Sequence, residues 1–402
     1  MAVIALLLAL VFCLSGCSSN QSALSQQPQE ISVYSTNHTP VYEVYIEEEN
    51  NNPAPLEPFS GCILGAHILS DKTINDISSF ETLTQKEHNS YLFHMRMGEP
   101  FPLTWVLECM TAEKIPQIVL YPPNSYHPYD ASYLETTAEQ FGTLNIPILL
   151  QFYPSPEQYG TNADDYISFF QKARTIFREK APNVSFVWSV DSNHIYACKK
   201  SYPKDEYVDW VGINIYINEK ENDLKELWNA VDYFYYSFQK TKPIMISQLA
   251  VSHYSSSNYR YNETGAAQNI MEIYNKIKES YPRIKAVTYI DRNAIENAPK
   301  QTVRNNYQIT DNKIVLEAYR KAVDDSYYTP NYEENQRELY KSPFSAYEID
   351  GIIYISEKTI IYDLKQPIDT EKIKINGENY IDSTAIPYTI EKLENNKIKI
   401  SK

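Results

Sequence analysis

Two apolar runs near the middle of the chain decide the fold class: Asn183-Val184-Ser185-Phe186-Val187-Trp188-Ser189 and Asp209-Trp210-Val211-Gly212-Ile213-Asn214-Ile215-Tyr216. Both are rich in β-branched and aromatic residues, and polar residues border them. Continuous apolar runs of this length are typical of strands that are buried on both faces, as the strands of a parallel sheet are. The two runs therefore predict neighbouring parallel strands that are covered by helices.

Further runs of this kind lie on both sides of the pair and alternate with amphipathic stretches such as 163–179 and 266–280. The eight predicted strands are Cys62–His67, Tyr91–Met95, Gln117–Tyr121, Pro147–Phe152, Val184–Trp188, Trp210–Tyr216, Ile244–Leu249 and Ala286–Ile290. Eight strand–helix units within 59–328 match an α/β fold of the (β/α)8 TIM barrel type, which uses about 250 residues. A doubly wound sheet is the alternative, but it usually needs more Gly-rich turns than 10 glycines allow.

The composition argues against several kinds of partner. The 402 residues include 36 basic and 51 acidic ones, a formal net charge of −15, so we expect no nucleic-acid partner and disfavour an anionic polymer. No Walker or dinucleotide-binding pattern occurs, and no Cys and His spacing resembles a zinc site. We therefore expect neither a cofactor nor a metal. The 35 tyrosines fit either compositional drift or a sugar-facing surface.

The first residues predict a targeting signal rather than a folded segment. Met1 to Cys13 is almost wholly apolar, and Leu14-Ser15-Gly16-Cys17 resembles the lipobox of bacterial lipoproteins. The resemblance implies that 1–17 is a signal peptide, that Cys17 becomes lipid-modified, and that the protein is anchored at the extracellular face of the cell membrane. One feature departs from the pattern, since no Lys or Arg precedes Lys72. A plain signal peptide or a buried hydrophobic stretch is the alternative.

Two polar segments are expected to connect the folded parts. Residues 18–58 are rich in Ser, Gln, Asn, Pro and Glu and predict a flexible tether, and 329–345 predict a charged linker. Beyond the signal, Cys62, Cys109 and Cys198 allow one disulfide without indicating which pair. We expect a monomer.

The last segment, 346–402, predicts a small all-β module. Its predicted strands are Tyr347–Ile349, Ile352–Ile355, Thr359–Tyr362, Lys372–Ile375, Asn379–Ile381 and Lys397–Ile400. Asp350-Gly351 and Asn376-Gly377 are strong signals for tight turns between them. The pattern weakly resembles stalk-like modules related to the N-terminal domain of copper amine oxidases. The segment offers no copper site, so we expect a role in attachment or spacing.

Binding and catalytic residues of TIM barrels lie at the C-terminal ends of the strands. In this sequence those positions hold aromatic rings, amides and a few charged groups, a mixture that suits a neutral polyol. The residues expected to bind substrate are Tyr121, Tyr153, Trp188, Asp191, His194, Asn214 and Tyr216. Trp188 is either a sugar platform or part of the core, and His194 has a surface role as its alternative.

A resemblance to a known family centres on the second of the two opening runs. Residues 202–216, Tyr-Pro-Lys-Asp-Glu-Tyr-Val-Asp-Trp-Val-Gly-Ile-Asn-Ile-Tyr, resemble the sixth-strand segment of glycoside hydrolase family 26, the β-mannanase family. Residues 183–189 are similar to its fifth strand, and 242–247 to the approach to its seventh. Tyr307-Gln308-Ile309 followed by Ala318-Tyr319 is similar to its tail. The resemblance covers 60–328 and implies a TIM barrel that acts on β-linked polysaccharide.

The resemblance also implies two catalytic glutamates, and this sequence departs from it at both. Gln248 occupies the nucleophile position, and Ser155 aligns with the acid/base position. A neutral amide supplies no anion to an oxocarbenium-like transition state, and a serine is no general acid near neutral pH. Glu157 is a candidate for a relocated acid, although a solvated loop glutamate is the simpler interpretation. Asp191 or Asp291 would have to serve as base in an inverting variant.

These departures lead to three functional hypotheses. The first is a surface lipoprotein whose barrel binds β-linked polysaccharide (mannan, mixed-linkage glucan or a xylan-like chain) and is catalytically degenerate. The second is an active β-mannanase or β-glucanase with relocated carboxylates. The third is a barrel used as a scaffold for protein or cell-wall interactions. In each case Tyr216 is expected to contact Gln248 if the family geometry holds.

Overall fold

The structure, a computed structural model, describes part of the chain. The described residues are 29–31, 39–49, 52–69, 74–121, 131–144, 146–153, 162–218, 224–255, 259–295, 304–332, 337–366 and 369–402. The signal peptide with Cys17, and the loop positions Ser155 and Glu157, lie outside this set. The predictions made for them therefore stay predictions. Among the described residues, no helix has the length and apolar character needed to cross a bilayer.

Two strands precede the barrel: β1 (Gln29–Ile31) and β2 (Val41–Glu49). The eight barrel strands are β3 (Ile63–His67), β4 (Ser90–Arg96), β5 (Ile115–Tyr121), β6 (Ile148–Phe152), β7 (Val184–Asp191), β8 (Trp210–Ile217), β9 (Ile244–Val251) and β12 (Ile284–Ile290). Two short strands outside the barrel, β10 (Tyr254–Ser255) and β11 (Arg260–Tyr261), lie between β9 and β12 in the chain. The barrel strands have the following arrangement. All pair in parallel and in chain order, and β12 closes the ring against β3. The predicted TIM barrel and its eight strands are thus confirmed.

Helices cover the outside of the barrel. They are α1 (Ile77–Thr84), α2 (Leu103–Thr111), α3 (Ala131–Thr143), α4 (Ala163–Lys180), α5 (Lys225–Phe238), α6 (Glu263–Ser280) and α7 (Lys313–Val323). After β7 a 3-10 segment, Ser192–Ser201, replaces the expected α-helix. Helix α4 illustrates the local causes: the Asn162 side chain caps its first turn, acidic residues follow there, and basic residues end it, as the helix dipole favours.

Asp209 and Trp210, at the heart of the segment that resembles family 26, hold β8 in place. The Asp209 carboxylate accepts hydrogen bonds from Arg174 on α4 at 2.9 Å and from the backbone N–H of Phe186 at 2.7 Å. The Trp210 indole fills the base of the barrel and donates to the Pro55 carbonyl at 2.8 Å. Both residues therefore fix the strand rather than contribute to the opposite, C-terminal end.

The barrel interior is layered. An apolar base is followed by a polar middle layer in which Gln117 donates to the Ser247 carbonyl at 3.2 Å and accepts from Thr288 at 2.7 Å. Gln151 donates to Ser189 in the same layer at 2.6 Å. Above it, four apolar side chains form the floor of the C-terminal end: Leu92, Val119, Ala250 and Ile290. A filled interior of this kind confines any ligand to the top of the barrel.

The C-terminal module is a nine-stranded sheet that also takes up N-terminal residues. Besides β1 and β2 it contains β14 (Arg337–Lys341), β15 (Ala346–Ile349), β16 (Ile352–Ser356), β17 (Ile373–Ile375), β18 (Glu378–Asp382), β19 (Thr389–Leu393) and β20 (Lys397–Ser401), while β13 (Asn305–Asn306) pairs with β10 at the barrel. The extra all-β module is therefore present. Three details of the prediction were wrong: Val41–Glu49 is a strand and not a tether, Arg337–Lys341 is a strand and not a linker, and Thr359–Asp363 is a π-helical turn.

A buried ionic cluster joins the module to the base of the barrel. Arg283, just before β12, pairs with Glu57 and lies 3.1 Å from Glu338 of β14, which also lies 3.2 Å from Lys285. All four side chains are almost completely buried. The attraction of the two carboxylates raises the pKa of Arg283, although burial alone would lower it. The cluster is fully compensated, as buried charges must be.

The three cysteines beyond the signal are all buried and free in the structure. Burial raises the pKa of the Cys62 thiol, and it raises the pKa of Cys198 to about 11. A disulfide between any two of Cys62, Cys109 and Cys198 is therefore not formed. Their thiols act as small apolar groups in the core.

Candidate functional site

A cavity of about 400 Å³ opens at the C-terminal end of the barrel, in the size range of small-molecule sites. The residues that line it come from the ends of four strands and from the loop after β4: His94, Met95, Arg96, Glu99, Tyr121, Tyr216 and Arg292. The apolar floor lies beneath it. This is the end of the fold at which TIM barrels bind their ligands, so the cavity is the candidate site.

Gln248 is buried at this end of the barrel, at a bulge in β9. The pairing of β8 with β9 shifts between Ile213 and Asn214, so that Asn214 pairs with Gln248 and Ser247 is the extra residue. A bulge re-aims the side chain that follows it. The Gln248 carbonyl oxygen accepts a hydrogen bond from the Tyr216 hydroxyl at 2.5 Å. The contact that the family resemblance implied is therefore present.

The two tyrosines of the cavity are neutral hydrogen-bonding groups. Tyr216 is 43% exposed, while burial around its hydroxyl raises its pKa far above the ordinary value. Burial also raises the pKa of Tyr121, against a lowering effect of the nearby Gln248 amide. Gln248 itself is buried, and its Nε2 donor makes no hydrogen bond of ordinary geometry. Neither phenol can supply the anion that a glycosidase needs.

A second histidine packs against His94 of the cavity lining. The rings of His67 and His94 lie 4.6 Å apart, and Nδ1 of His67 lies 2.8 Å from the Leu92 carbonyl. Burial lowers the pKa of His67 to about 4 and holds the pKa of His94 well below its usual value, and the charge of Arg292 lowers both further. Both rings are therefore neutral at pH 7. Arg292 is then one of the few permanent charges of the cavity.

Two aspartates near the site are engaged by other residues. Asp191, at the end of β7, accepts a hydrogen bond from Asn214 at 3.1 Å. Asp291 is completely buried and accepts from the backbone N–H of Ile309 at 2.7 Å and the Thr310 hydroxyl at 2.9 Å. Asp291 therefore anchors the loop after β12, which leaves it unsuited to activate a water molecule. Asp191 remains the aspartate at the strand ends that is partly accessible.

The remaining predicted binding residues, Trp188, Tyr153 and His194, do not line the cavity. Trp188 is fully buried: its indole donates to the Ser201 carbonyl at 3.1 Å and its ring packs on Phe234. Tyr153 is also fully buried, against Tyr166 of α4. Both rings belong to the core in this structure and have no exposed face for a sugar. His194 is exposed on the 3-10 segment after β7.

Of the seven residues that line the cavity, Tyr121 and Tyr216 were predicted to bind substrate, and His94, Met95, Arg96, Glu99 and Arg292 were not. The first four lie at the end of β4 or directly after it, and the apolar run of this strand was the weakest of the eight. The alternation Leu92, His94, Arg96 along β4 was a usable signal, because side chains two apart on a strand point to the same face. Glu99 accepts a hydrogen bond from the Arg96 backbone N–H at 2.8 Å.

The described residues contain no group of three or more His, Cys, Asp or Glu side chains that could hold a metal ion. Within that part of the chain, the polar groups that line the cavity are phenol, imidazole and guanidinium groups with one carboxylate at the rim. Such groups bind hydroxyl groups and anions through hydrogen bonds.

No protein-family model and no curated protein matches the sequence. Solved structures match the barrel. A β-mannanase of family 26 from Bacteroides ovatus is 13% identical and matches with a TM-score of 0.51 over 69% of this chain and 92% of its own. The fold of the barrel is similar to that of this β-mannanase. An engineered protein is similar to the same extent, at 14% identity and a TM-score of 0.51 over 69% of this chain and 72% of its own. At these identities the likeness concerns the fold.

Proposed function

We propose that the chain is a glycan-binding protein whose glycoside-hydrolase-like barrel has lost catalysis. The observation that carries the proposal is Gln248, which occupies the nucleophile position implied by the resemblance and is tied to Tyr216 through its carbonyl oxygen. Retaining hydrolysis needs a carboxylate at this point, because the glycosyl-enzyme ester forms on it. An amide held by a neutral phenol binds hydroxyl groups but forms no such ester.

The surroundings of Tyr216 support a glycan as the ligand. Tyr216 borders the barrel-top cavity and also a second cavity of about 740 Å³, which is lined by Tyr196, Ile217 and Lys225 among others. Tyr196 exposes 65% of its side chain. Two adjoining cavities with exposed tyrosine rings fit a chain of several sugar units, since aromatic faces stack on sugar rings. The β-linked polysaccharides on which the similar β-mannanase acts are the class we propose.

A binding assay tests this proposal directly. Isothermal titration with neutral β-1,4-linked oligosaccharides of mannose, glucose and xylose should give measurable affinity for at least one of them. Tyr216→Ala should weaken that affinity by about tenfold or more, because it removes both the ring and the hydroxyl that orients Gln248. Tyr362→Ala is the matched control, since Tyr362 is 66% exposed on the β module. Absence of binding to every one of these oligosaccharides, and also to counterparts that carry a carboxylate, would refute the proposal.

An active glycosidase with relocated carboxylates is the second candidate. Asp191 is the observation that favours it, because this carboxylate lies at the end of β7, next to Asn214 on β8. Glu157 is the other carboxyl group that this candidate needs. Release of reducing ends by the wild-type protein, lost in Asp191→Asn or Glu157→Ala, would support it over the binding protein.

We further propose that the protein is a lipoprotein anchored through Cys17 and displays the barrel outside the cell. The apolar stretch before the Leu14-Ser15-Gly16-Cys17 motif supports this, since signal peptides of lipoproteins end in such a motif. Metabolic labelling with a fatty-acid analogue should mark the wild-type protein and not Cys17→Ser. Labelling of both proteins, or of neither, would contradict the anchor.

A further inference from the structure

We propose that the barrel-top cavity recognises a carboxylate-bearing sugar, a uronic acid unit flanked by neutral sugars, and that Arg292 binds the carboxylate. This inference rests on the proposed function, because it names the class of glycan that the same site takes. It departs from the neutral polyol that the sequence indicated. Four features of the cavity lead to it.

The first feature is the guanidinium group of Arg292. Arg292 follows β12 and lines the cavity beside the two tyrosines. Its charge acts on the hydroxyl groups of Tyr121 and Tyr216, which places it close to the groups that would bind a sugar. Among the residues that the structure describes, no carboxylate lies within ion-pair distance of it. A guanidinium group in a cavity binds a carboxylate with two parallel hydrogen bonds, which is why Arg is common at such sites.

The second feature is the absence of a carboxylate from the nucleophile position. With Gln248 there, the group hydrogen-bonded to the cavity residue Tyr216 is a neutral amide instead of a negative charge. The buried Nε2 of Gln248, which lies near the hydroxyl of Tyr121 but makes no hydrogen bond of ordinary geometry, is a further donor next to Tyr216. An unpaired buried donor costs free energy that a ligand oxygen can recover. The substitution that removes hydrolysis therefore also favours an anion.

The third feature is the charge of the remaining groups around the cavity. The histidines are neutral, Asp291 is engaged by the backbone, and Asp191 is held by Asn214. Glu99 is exposed at the rim, and the positive side chain of Arg96 lines the same cavity. The positive charges of Arg292 and Arg96 balance the negative charges of Glu99 and Asp191. Carboxylates around the cavity therefore do not outweigh the charge on Arg292.

The fourth feature is the distance over which the net charge acts. The chain carries a net charge of −15, which repels a polyanion along its whole length. At physiological ionic strength charges are screened over about 8 Å, so one carboxylate inside the cavity is governed by Arg292 rather than by remote acidic residues. The cavity therefore suits a glycan with isolated acidic units better than a polyuronate.

Paired oligosaccharides test the inference. Each neutral β-1,4 oligosaccharide is compared with a counterpart in which one internal ring carries a C6 carboxylate, and a polyuronate is included. We expect the acidic member of one pair to bind about tenfold more tightly, with a preference that falls as salt is added. Arg292→Gln should weaken acidic binding by about tenfold and neutral binding by less. Arg337→Gln, an exposed residue of the module, changes the net charge equally and should alter neither.

The outcomes separate the two proposals. Binding of neutral oligosaccharides with equal or weaker binding of every acidic counterpart would overturn this inference and leave the glycan-binding function in place. An acidic preference that persists unchanged in Arg292→Gln would also overturn it. Tightest binding of the polyuronate would contradict the argument from net charge. Absence of binding to all members would refute the glycan-binding function itself.

Discussion

The ionic cluster at the base of the barrel allows a quantitative test of how the chain is assembled. Glu338 on β14 lies 3.1 Å from Arg283 and 3.2 Å from Lys285, and each of the three side chains is about 4% exposed. Glu338→Gln keeps the shape of the side chain but removes its charge. Lys285 then has no carboxylate among its described partners and keeps the Phe59 carbonyl at 3.2 Å. Arg283 retains Glu57.

The expected loss follows from the burial of the cluster. Removing one partner of a buried ion pair costs about 3–5 kcal/mol, because the other charge stays buried without compensation. Glu57 still compensates Arg283, so we expect about 3 kcal/mol. With a urea m-value of about 3 kcal/mol/M for a protein of this size, the midpoint of unfolding should fall by about 1 M. Tryptophan fluorescence can follow the transition, since Trp210 lies at the same end of the barrel.

Glu378→Gln is the matched control for this experiment. It makes the same chemical change in the exposed Lys358–Glu378 pair of the module, whose side chains are 44% and 56% exposed. Exposed pairs contribute at most about 1 kcal/mol, so its midpoint should stay near that of the wild type. A loss in Glu338→Gln no larger than that in Glu378→Gln would refute the reasoning, and with it the assignment of this cluster as a main link between module and barrel.

Three further predictions concern the barrel. Burial holds the pKa of His67 at about 4, below its unfolded value of about 6.5, so the unfolded state takes up the proton first. The free energy of unfolding should therefore fall by about 3 kcal/mol as pH drops from about 6.5 to 4. In urea titrations His67→Gln should lose less stability over this range than the wild type, and an equal loss would contradict the assignment. Gly212→Ala places a methyl group against Ser247 and Ser189 inside the barrel, and urea titration should show a loss of about 1–3 kcal/mol in the free energy of unfolding. Gly98→Ala meets open space but has a φ of 93°, so it should cost about 1 kcal/mol through backbone strain. Equal costs would argue against tight packing around Gly212. Tyr216→Phe leaves the Gln248 carbonyl unpaired and should lower the urea midpoint by an amount equivalent to about 1–3 kcal/mol of unfolding free energy. Tyr362→Phe should leave the midpoint unchanged. An unchanged midpoint in Tyr216→Phe would show that the hydrogen bond contributes little to stability.

The barrel could be predicted from the sequence because its strands are buried on both faces, so their composition alone identifies them. The module was harder. Strand β2 reads as a polar segment, since its acidic residues pair with cations that are distant in sequence: Glu43 with Lys341, and Glu47 with Arg337. Strand β19 was missed because it is an edge strand with largely exposed side chains. The short apolar run at 359–363 fitted a strand and a helical turn equally well.

The sequence predicts a site residue well when its place at the end of a strand determines its location. It predicts a residue less well when tertiary packing determines whether the side chain is buried. Tyr216, Asn214 and Gln248 were expected at adjacent strand ends, and β8 and β9 bring them together. The burial of Trp188 depends on Phe234 and Ser201, which are distant in sequence, so its run could not distinguish a platform from a core residue. The charge of the cavity was also not predictable, because it depends on which carboxylates the fold engages elsewhere.

The most direct test of the central claim is the release of reducing ends by the purified protein. The substrates are β-mannans, mixed-linkage β-glucans and xylans, together with the glycan that binds in the titration. Glu157→Ala and Asp191→Asn are measured in parallel, and an active β-mannanase verifies the assay. Our account predicts that the wild type binds its glycan and releases no reducing ends above those of the buffer blank. Release by the wild type that either substitution abolishes would contradict it and identify a rearranged glycosidase.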